Sequence, residues 1–181
     1  MKKLLVIVGL PGAGKDTQIA GLMDRRALRV IRVGDLVRER AKTDAEVAAD
    51  LKNGDLADNG LVNELIRGAI EQAPANSYIV SDGFPRDLEQ AIWLDKYLET
   101  FGIAMDRVLY IKVDDDVALT RLMKRGREDD SKATIKHRIQ VFHQMTDEVI
   151  AHYRQKGQLV EIDGNGTPQE VVKNIKAGLG W

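Results

Sequence analysis

Between Val8 and Gln18 the chain reads VGLPGAGKDTQ, three glycines and a lysine spaced for one kind of chemistry. Gly9, Gly12 and Gly14 let backbone amides turn inward and approach an anion with no Cβ in the way. Lys15 adds a full positive charge for the outer phosphates of a polyphosphate ligand. A loop of the type G-x-x-x-x-G-K ordinarily continues with Ser or Thr. Here Asp16 follows the lysine, and the hydroxyl comes one position later, at Thr17. A second candidate is Asp82, which closes the apolar run Tyr78–Val80. A carboxylate at a strand end can hold Mg²⁺ through its water shell; a turn or cap aspartate is the plainer alternative.

The elements needed to position these groups can be read from hydropathy. Five short apolar runs, Leu4–Val8, Leu28–Val33, Tyr78–Val80, Val108–Val113 and Leu159–Ile162, suit strands of a parallel sheet buried on both faces. Helical spacing fills the intervals: Thr17–Arg25, Gly34–Ala41, Asp44–Lys52, Leu61–Gln72, Leu88–Phe101, Val117–Lys124, Ser131–Tyr153 and Thr167–Ala177. Asp114 and Thr167 read as helix N-caps, the latter with Pro168 at the first helical position. Alternation of strand and helix predicts an α/β fold with right-handed crossovers. The glycine loop then sits between a strand and a helix N-terminus, whose free N–H groups and dipole favour an anion. The stretch from Thr43 to Gln72 holds helical patterns and no convincing strand, as expected of a small helical lobe.

Composition narrows the class. A chain of 181 residues, 44% hydrophobic and 30% charged, fits one folded domain rather than a disordered chain. A net charge of -1 gives no global field toward nucleic acid or acidic membranes, and neither is expected as a partner. With no cysteine, disulfides and thiolate metal sites are excluded. The apolar run after the initial MKK is too short for a signal peptide, and no run reaches membrane-spanning length. A cytoplasmic monomer is the expectation. His137, His143 and His152 lie on one helical stretch without metal-site spacing.

Several motifs in order resemble the adenylate kinases and related nucleoside monophosphate kinases. GLPGAGKDTQ is similar to the family's G-x-P-G-x-G-K-G-T-Q, so the late Thr17 fits the pattern and Asp16 departs from it. GDLVRER (34–40) is similar to T-G-D-x-[LI]-R, and GDLADNGLVNELI (54–66) to G-x-L-V-P-D-x-L-V-x-x-L-I. DGFPRDLEQA (82–91) matches D-G-[FY]-P-R-x-x-x-Q-A, and RLMKRGREDD (121–130) followed by Arg138 resembles the arginine-rich lid. The resemblance implies a P-loop NTPase-type parallel five-stranded sheet flanked by helices. It divides the chain into a core (1-33, 73-120, 139-181), a helical monophosphate-binding lobe (34-72) and a minimal lid (121-138). It implies Mg²⁺ with ATP as the cofactor, no zinc, and ATP, AMP and ADP as the small-molecule partners.

Residue by residue, the resemblance implies ATP contacts from Gly12, Ala13, Gly14, Lys15, Asp16, Thr17, Arg121 and Gly166. Arg121 would lie over the donor adenine. It implies AMP contacts from Val33, Gly34, Arg38, Ala57, Gly83, Arg86, Gln90, Arg127 and Arg138. Lys15, Arg86, Arg125, Arg127 and Arg138 are the catalytic set, since planar guanidinium forks bind phosphate oxygens in bidentate fashion. Asp82 is the Mg²⁺ carboxylate. Asp16 either joins it at the metal or points outward, where the helix dipole favours a negative charge. Asp35 reads as a cap of its helix, although the family uses that segment to border the acceptor site. Asp129 and Asp130 either pair with the lid arginines or cap the next helix.

The acceptor base is less constrained. Gln90 offers a donor and an acceptor to the N1/N6 edge of adenine, whereas pyrimidine-specific relatives tend to have Asn there. Val33 lacks the hydroxyl of the usual Thr, and Ala57 is smaller than the usual Val. AMP is the favoured acceptor, with a UMP/CMP kinase or a non-catalytic nucleotide sensor as the alternatives. A GTPase is disfavoured by the lack of an N-K-x-D motif.

Only Gly126 separates Arg125 from Arg127, so the lid is an arginine loop too short to seal the site completely. Water then competes with the acceptor. Hydrolysis of ATP without AMP is expected above roughly one thousandth of the transfer rate; a slower leak, measured as phosphate release, would count against an open lid.

Overall fold

The computed structural model describes residues 1–23, 27–126 and 131–181. Its five strands are β1 (Lys3–Val8), β2 (Leu28–Arg32), β3 (Tyr78–Asp82), β4 (Ala104–Lys112) and β5 (Leu159–Asp163). They form one sheet in the order β2-β3-β1-β4-β5, with every neighbouring pair parallel. The five apolar runs all become strands. β4 starts four residues earlier than its run, because Asp106 and Arg107 interrupt the hydropathy while the backbone continues to pair with β1 across a register shift at Leu4/Leu5.

Among the described residues there are eight helices. They are α1 (Lys15–Met23), α2 (Val33–Ala41), α3 (Ala45–Asn53), α4 (Asn59–Gln72), α5 (Leu88–Thr100), α6 (Asp115–Arg125), α7 (Lys132–Gln155) and α8 (Pro168–Leu179). The interval between β2 and β3 contains α2, α3 and α4 and no strand. None of the described helices is long and apolar enough to cross a membrane.

Burial follows the strand period. Leu4, Val6 and Val8 of β1 enter one apolar layer with α2, α4 and α5, while Leu5 and Ile7 enter the other with α1, α6 and α8. Leu4, Leu5, Val6 and Ile7 are all fully buried, which is why the central strand reads as an unbroken apolar run. Each such side chain contributes about 1.5–3 kcal/mol. The long helix α7 serves both layers, with Val149 and Tyr153 in the first and Ile135, Ile139, Phe142 and Ile150 in the second. Burial, helped by repulsion from the Asp95 carboxylate, pushes the Tyr153 phenol well above its usual range.

Short-range polar bonds set the helix starts. Asp44, Asp58, Asp87 and Ser131 each accept a backbone N–H at a helix N-terminus. Asp58 draws α4 back to Asn59, two residues before the apolar periodicity begins. Asp114 stands at the N-cap of α6 without a side-chain cap bond; its own N–H donates to Asn165 Oδ1 at 3.2 Å. The expected capping by Asp35 is corrected: α2 already starts at Val33, and Asp35 pairs with Arg38 one turn on. Trp181 docks, its ring meeting Tyr78 edge-on at 5.3 Å. The three histidines of α7 each face a different aspartate: His137 with Asp55, His143 with Asp115 and His152 with Asp95.

Thr167 and Glu170 close a reciprocal capping box on α8, whose Val171 and Ile175 are buried in the second layer. Thr167→Ala is expected to lower stability by about 1 kcal/mol, seen as a lower urea midpoint with an unchanged slope.

Candidate active site

A parallel sheet exposes its ligand crevice beyond the carboxyl ends of the strands, where the strand order reverses. Here β1 lies between β3 and β4, and the ends of β1, β2, β3 and β5 open onto one cavity of about 870 Å³. Val8 and Gly9 come from the end of β1, Arg32 and Val33 from β2, Asp82 and Gly83 from β3, and Gly164 follows β5.

The glycine loop forms one wall. Gly12 and Gly14 have φ of +87° and +86°, a region that favours glycine. At Gly9 a Cβ would fall 2.7 Å from the carbonyl oxygen of Ile111, and at Gly12 2.6 Å from that of Ala118. The loop is therefore pressed against β4 and α6 by its backbone, which no side chain would permit. Lys15 folds back over it, donating to the carbonyls of Gly9 at 3.0 Å and Leu10 at 3.2 Å. Burial lowers the Lys15 pKa, and the Asp82 carboxylate opposes that shift. Burial likewise raises the Asp82 pKa against the pull of Lys15.

The sequence-derived site residues fall on two walls. Gly12, Ala13, Gly14, Lys15, Asp16 and Thr17 line the cavity on the loop side, with Arg121 and Gly166 next to them. Val33, Gly34, Arg38, Ala57, Gly83 and Gln90 line it toward α2–α5. Arg86, Arg125 and Arg138 also face it. Arg127, with Asp129 and Asp130, lies outside the described residues.

Three of these arginines are anchored on backbone carbonyls. Arg121 donates to Gly164 O at 3.2 Å and Ala13 O at 3.5 Å, linking the loop to the end of β5. Arg138 donates to Leu51 O at 3.2 Å, tying α7 to α3. Arg86 donates from Nε to Gly83 O at 2.8 Å. Its backbone is gripped twice more: its N–H donates to Gln90 Oε1 at 2.8 Å, and its carbonyl accepts from Thr146 Oγ1 at 2.8 Å.

Three participants were not picked out from the sequence. Arg32 pairs with Asp16 at 3.1 Å, a partner that neither reading of Asp16 included. Thr146, 3% exposed, supports Arg86 from mid-α7. Asn59 accepts from Gln90 Nε2 at 2.6 Å. A polar residue at a buried helix position is the only local signal for Thr146; the other two depend on which elements become neighbours.

A metal would find oxygen donors here. Asp82 is 9% exposed, and its carboxylate, the Thr17 hydroxyl and the Asp16 carboxylate belong to residues lining one cavity. Such a hard donor set fits Mg²⁺, which takes one or two carboxylates and completes its shell with water and phosphate oxygens.

Thr146→Val keeps the shape of the side chain but removes the donor to the Arg86 carbonyl. It is expected to destabilise the fold by about 1–2 kcal/mol and, by loosening Arg86, to weaken binding of a phosphate-bearing ligand in the cavity. Urea unfolding and calorimetric titration check the two effects separately.

Residues 7–158 match the family described as "Adenylate kinase". An adenylate kinase of Synechococcus sp. (strain RCC307) is 36% identical over 183 residues, covering 99% of this chain and all of the relative. That of Synechococcus sp. (strain CC9311) is 34% identical with the same coverage. That of Kocuria rhizophila is 33% identical over 97% of each chain. A nucleoside monophosphate kinase motif set in the sequence, a five-stranded parallel sheet with its phosphate loop at the carboxyl edge, and full-length similarity agree: the chain belongs to the adenylate kinase family.

Proposed function

We propose that the chain transfers the terminal phosphoryl group of ATP to AMP, giving two ADP, by direct in-line displacement at the cavity described above. The observation that carries this reading is that one cavity gathers the glycine loop, six arginines and the side-chain amide of Gln90. The acceptor phosphate is already nucleophilic, so positioning and charge neutralisation are the main requirements.

Lys15 and the loop amides hold the outer phosphates of the donor, with Arg121 against its adenine. Arg38 and Arg86 grip the acceptor phosphate. Arg125 and Arg138 approach the group in transfer. Val33 and Ala57, both buried, form apolar walls for the acceptor base, and Gln90 supplies the polar edge. The loss of a hydroxyl at Val33 is consistent with recognition concentrated in Gln90. Mg²⁺, when bound, spreads the negative charge of the donor phosphates, and Asp82 would hold its water shell.

Supplying AMP, CMP, UMP and GMP separately with Mg·ATP tests the reading. ADP formation is expected with AMP, and chelation of Mg²⁺ should abolish it. Lys15→Met is expected to cost at least about a hundredfold in kcat. Transfer to a pyrimidine nucleotide instead of AMP would overturn the acceptor assignment, and ATP binding without any transfer would favour a sensor.

A further inference from the structure

We propose that Asn59 determines which nucleobase the acceptor pocket accepts, by fixing the direction of the Gln90 side-chain amide. The inference rests on the reading of Gln90 as the base-facing residue.

A glutamine amide alone has no preferred direction. Turned over, it presents its acceptor and donor in the opposite order, so it can pair with either of two complementary base edges. In this fold the turn is blocked from both ends. Gln90 is 1% exposed and lines the cavity. The Arg86 backbone N–H can only donate, so the atom that meets it at 2.8 Å is the carbonyl oxygen of Gln90. The amide nitrogen then donates to Asn59 Oδ1 at 2.6 Å. Asn59 cannot turn over either, because its own nitrogen donates to the Glu89 carboxylate at 2.9 Å, and an ionised carboxylate can only accept.

The chain Arg86 N–H, Gln90, Asn59, Glu89 thus has one direction, with a backbone donor at one end and a charge at the other. A carboxylate at position 59 would face Glu89 with like charge and no donor to offer; asparagine provides one.

One lone pair of Gln90 Oε1 and one hydrogen of Nε2 remain for a ligand. In this order they complement a base that presents an exocyclic amino group beside an unprotonated ring nitrogen, as adenine does. Guanine and uracil present a carbonyl beside a ring N–H and meet the reverse pattern. Selection against them requires that the amide cannot turn over. A site that hydrogen-bonds its substrate rejects a mismatched one because buried groups are left unpaired. Asn59 reaches this position because Asp58 caps α4, making Asn59 its first residue opposite the start of α5.

The test compares kcat/KM for AMP and GMP, with Mg·ATP as donor, in the wild type, Asn59→Leu, Glu89→Gln, the double variant Asn59→Asp/Glu89→Gln, and Gln90→Leu. Removing one of two directional bonds in Asn59→Leu is expected to lower the AMP:GMP ratio about tenfold, mainly through KM. Glu89→Gln, an exposed change that leaves the core intact, should lower it by about threefold. In the double variant the carboxylate introduced at position 59 accepts both from Gln90 and from the amide introduced at position 89, which restores the order of the chain. The ratio should return to within about twofold of wild type.

An unchanged ratio in both Asn59→Leu and Glu89→Gln overturns the proposal, as does equal loss in the double variant and Asn59→Leu. If Asn59→Leu does not fold, Glu89→Gln and the double variant decide alone. The Gln90→Leu control separates the two readings. A ratio unaffected there removes Gln90 as the base reader; a ratio lost there but kept in the Asn59 and Glu89 variants overturns the role of Asn59 alone.

Discussion

Holding many like charges against one cavity is the physical constraint around which this molecule is built. Lys15, Arg38, Arg86, Arg121, Arg125 and Arg138 all face the same space. Permanent pairing of all of them with carboxylates would neutralise them and leave little for a phosphate. Arg38 does lean on a carboxylate, the exposed Asp35. For three others the fold supplies backbone carbonyls. Lys15 rests on Gly9 and Leu10, Arg86 on Gly83, and Arg121 on Ala13 and Gly164. A carbonyl satisfies a donor without carrying a formal charge, so a phosphate oxygen can replace it and gain the full ionic attraction. The cost is visible in the ionisation of the central pair. Burial pulls the Lys15 ammonium down and pushes the Asp82 carboxyl up, with each charge partly compensating the other.

Those carbonyl supports exist because of the sheet. Four strand ends converge on the cavity, and the loops that leave them carry carbonyl groups no longer paired in a ladder. The glycine loop exploits the same geometry more tightly. Contacts of 2.6–2.7 Å for a hypothetical Cβ at Gly9 and Gly12 show backbone packed on backbone, against Ile111 and Ala118. Rigid placement of the loop against β4 and α6 lets its amides serve as a fixed anion cradle at the start of α1.

Around Arg86 a second principle operates, the satisfaction of buried polar groups. The segment from Ser81 to Gln90 turns sharply between β3 and α5 and would leave several backbone groups unpaired. Ser81 Oγ donates to Phe84 O at 3.0 Å, Thr146 to Arg86 O, Arg86 N–H to Gln90 Oε1, and Asp87 caps α5 through Gln90 N–H at 2.8 Å. Fully satisfied networks of this kind hold a single arrangement. They fix the arginine backbone and the Gln90 amide, both at the cavity wall, as one unit.

The alternation of strands and helices, the phosphate loop between β1 and α1, and the motif order shared with the adenylate kinase family were all legible in the amino-acid sequence. They depend on hydropathy period, glycine spacing and local capping, which act over a few neighbouring residues. Strand starts hidden by charged residues, as at Ala104–Arg107, and helix starts pulled back by a cap, as at Asn59, were less legible because pairing and capping override hydropathy at element ends. Which distant residues become partners was settled by packing in three dimensions. Arg32 meets Asp16 only because the ends of β2 and the phosphate loop reach the same cavity, Thr146 meets Arg86 only because α7 crosses the β3–α5 turn, and Asn59 meets Gln90 only because α4 packs on α5. Each is a polar contact over many residues of chain. Its energy depends on direction and distance in space, which composition and spacing along the chain do not encode.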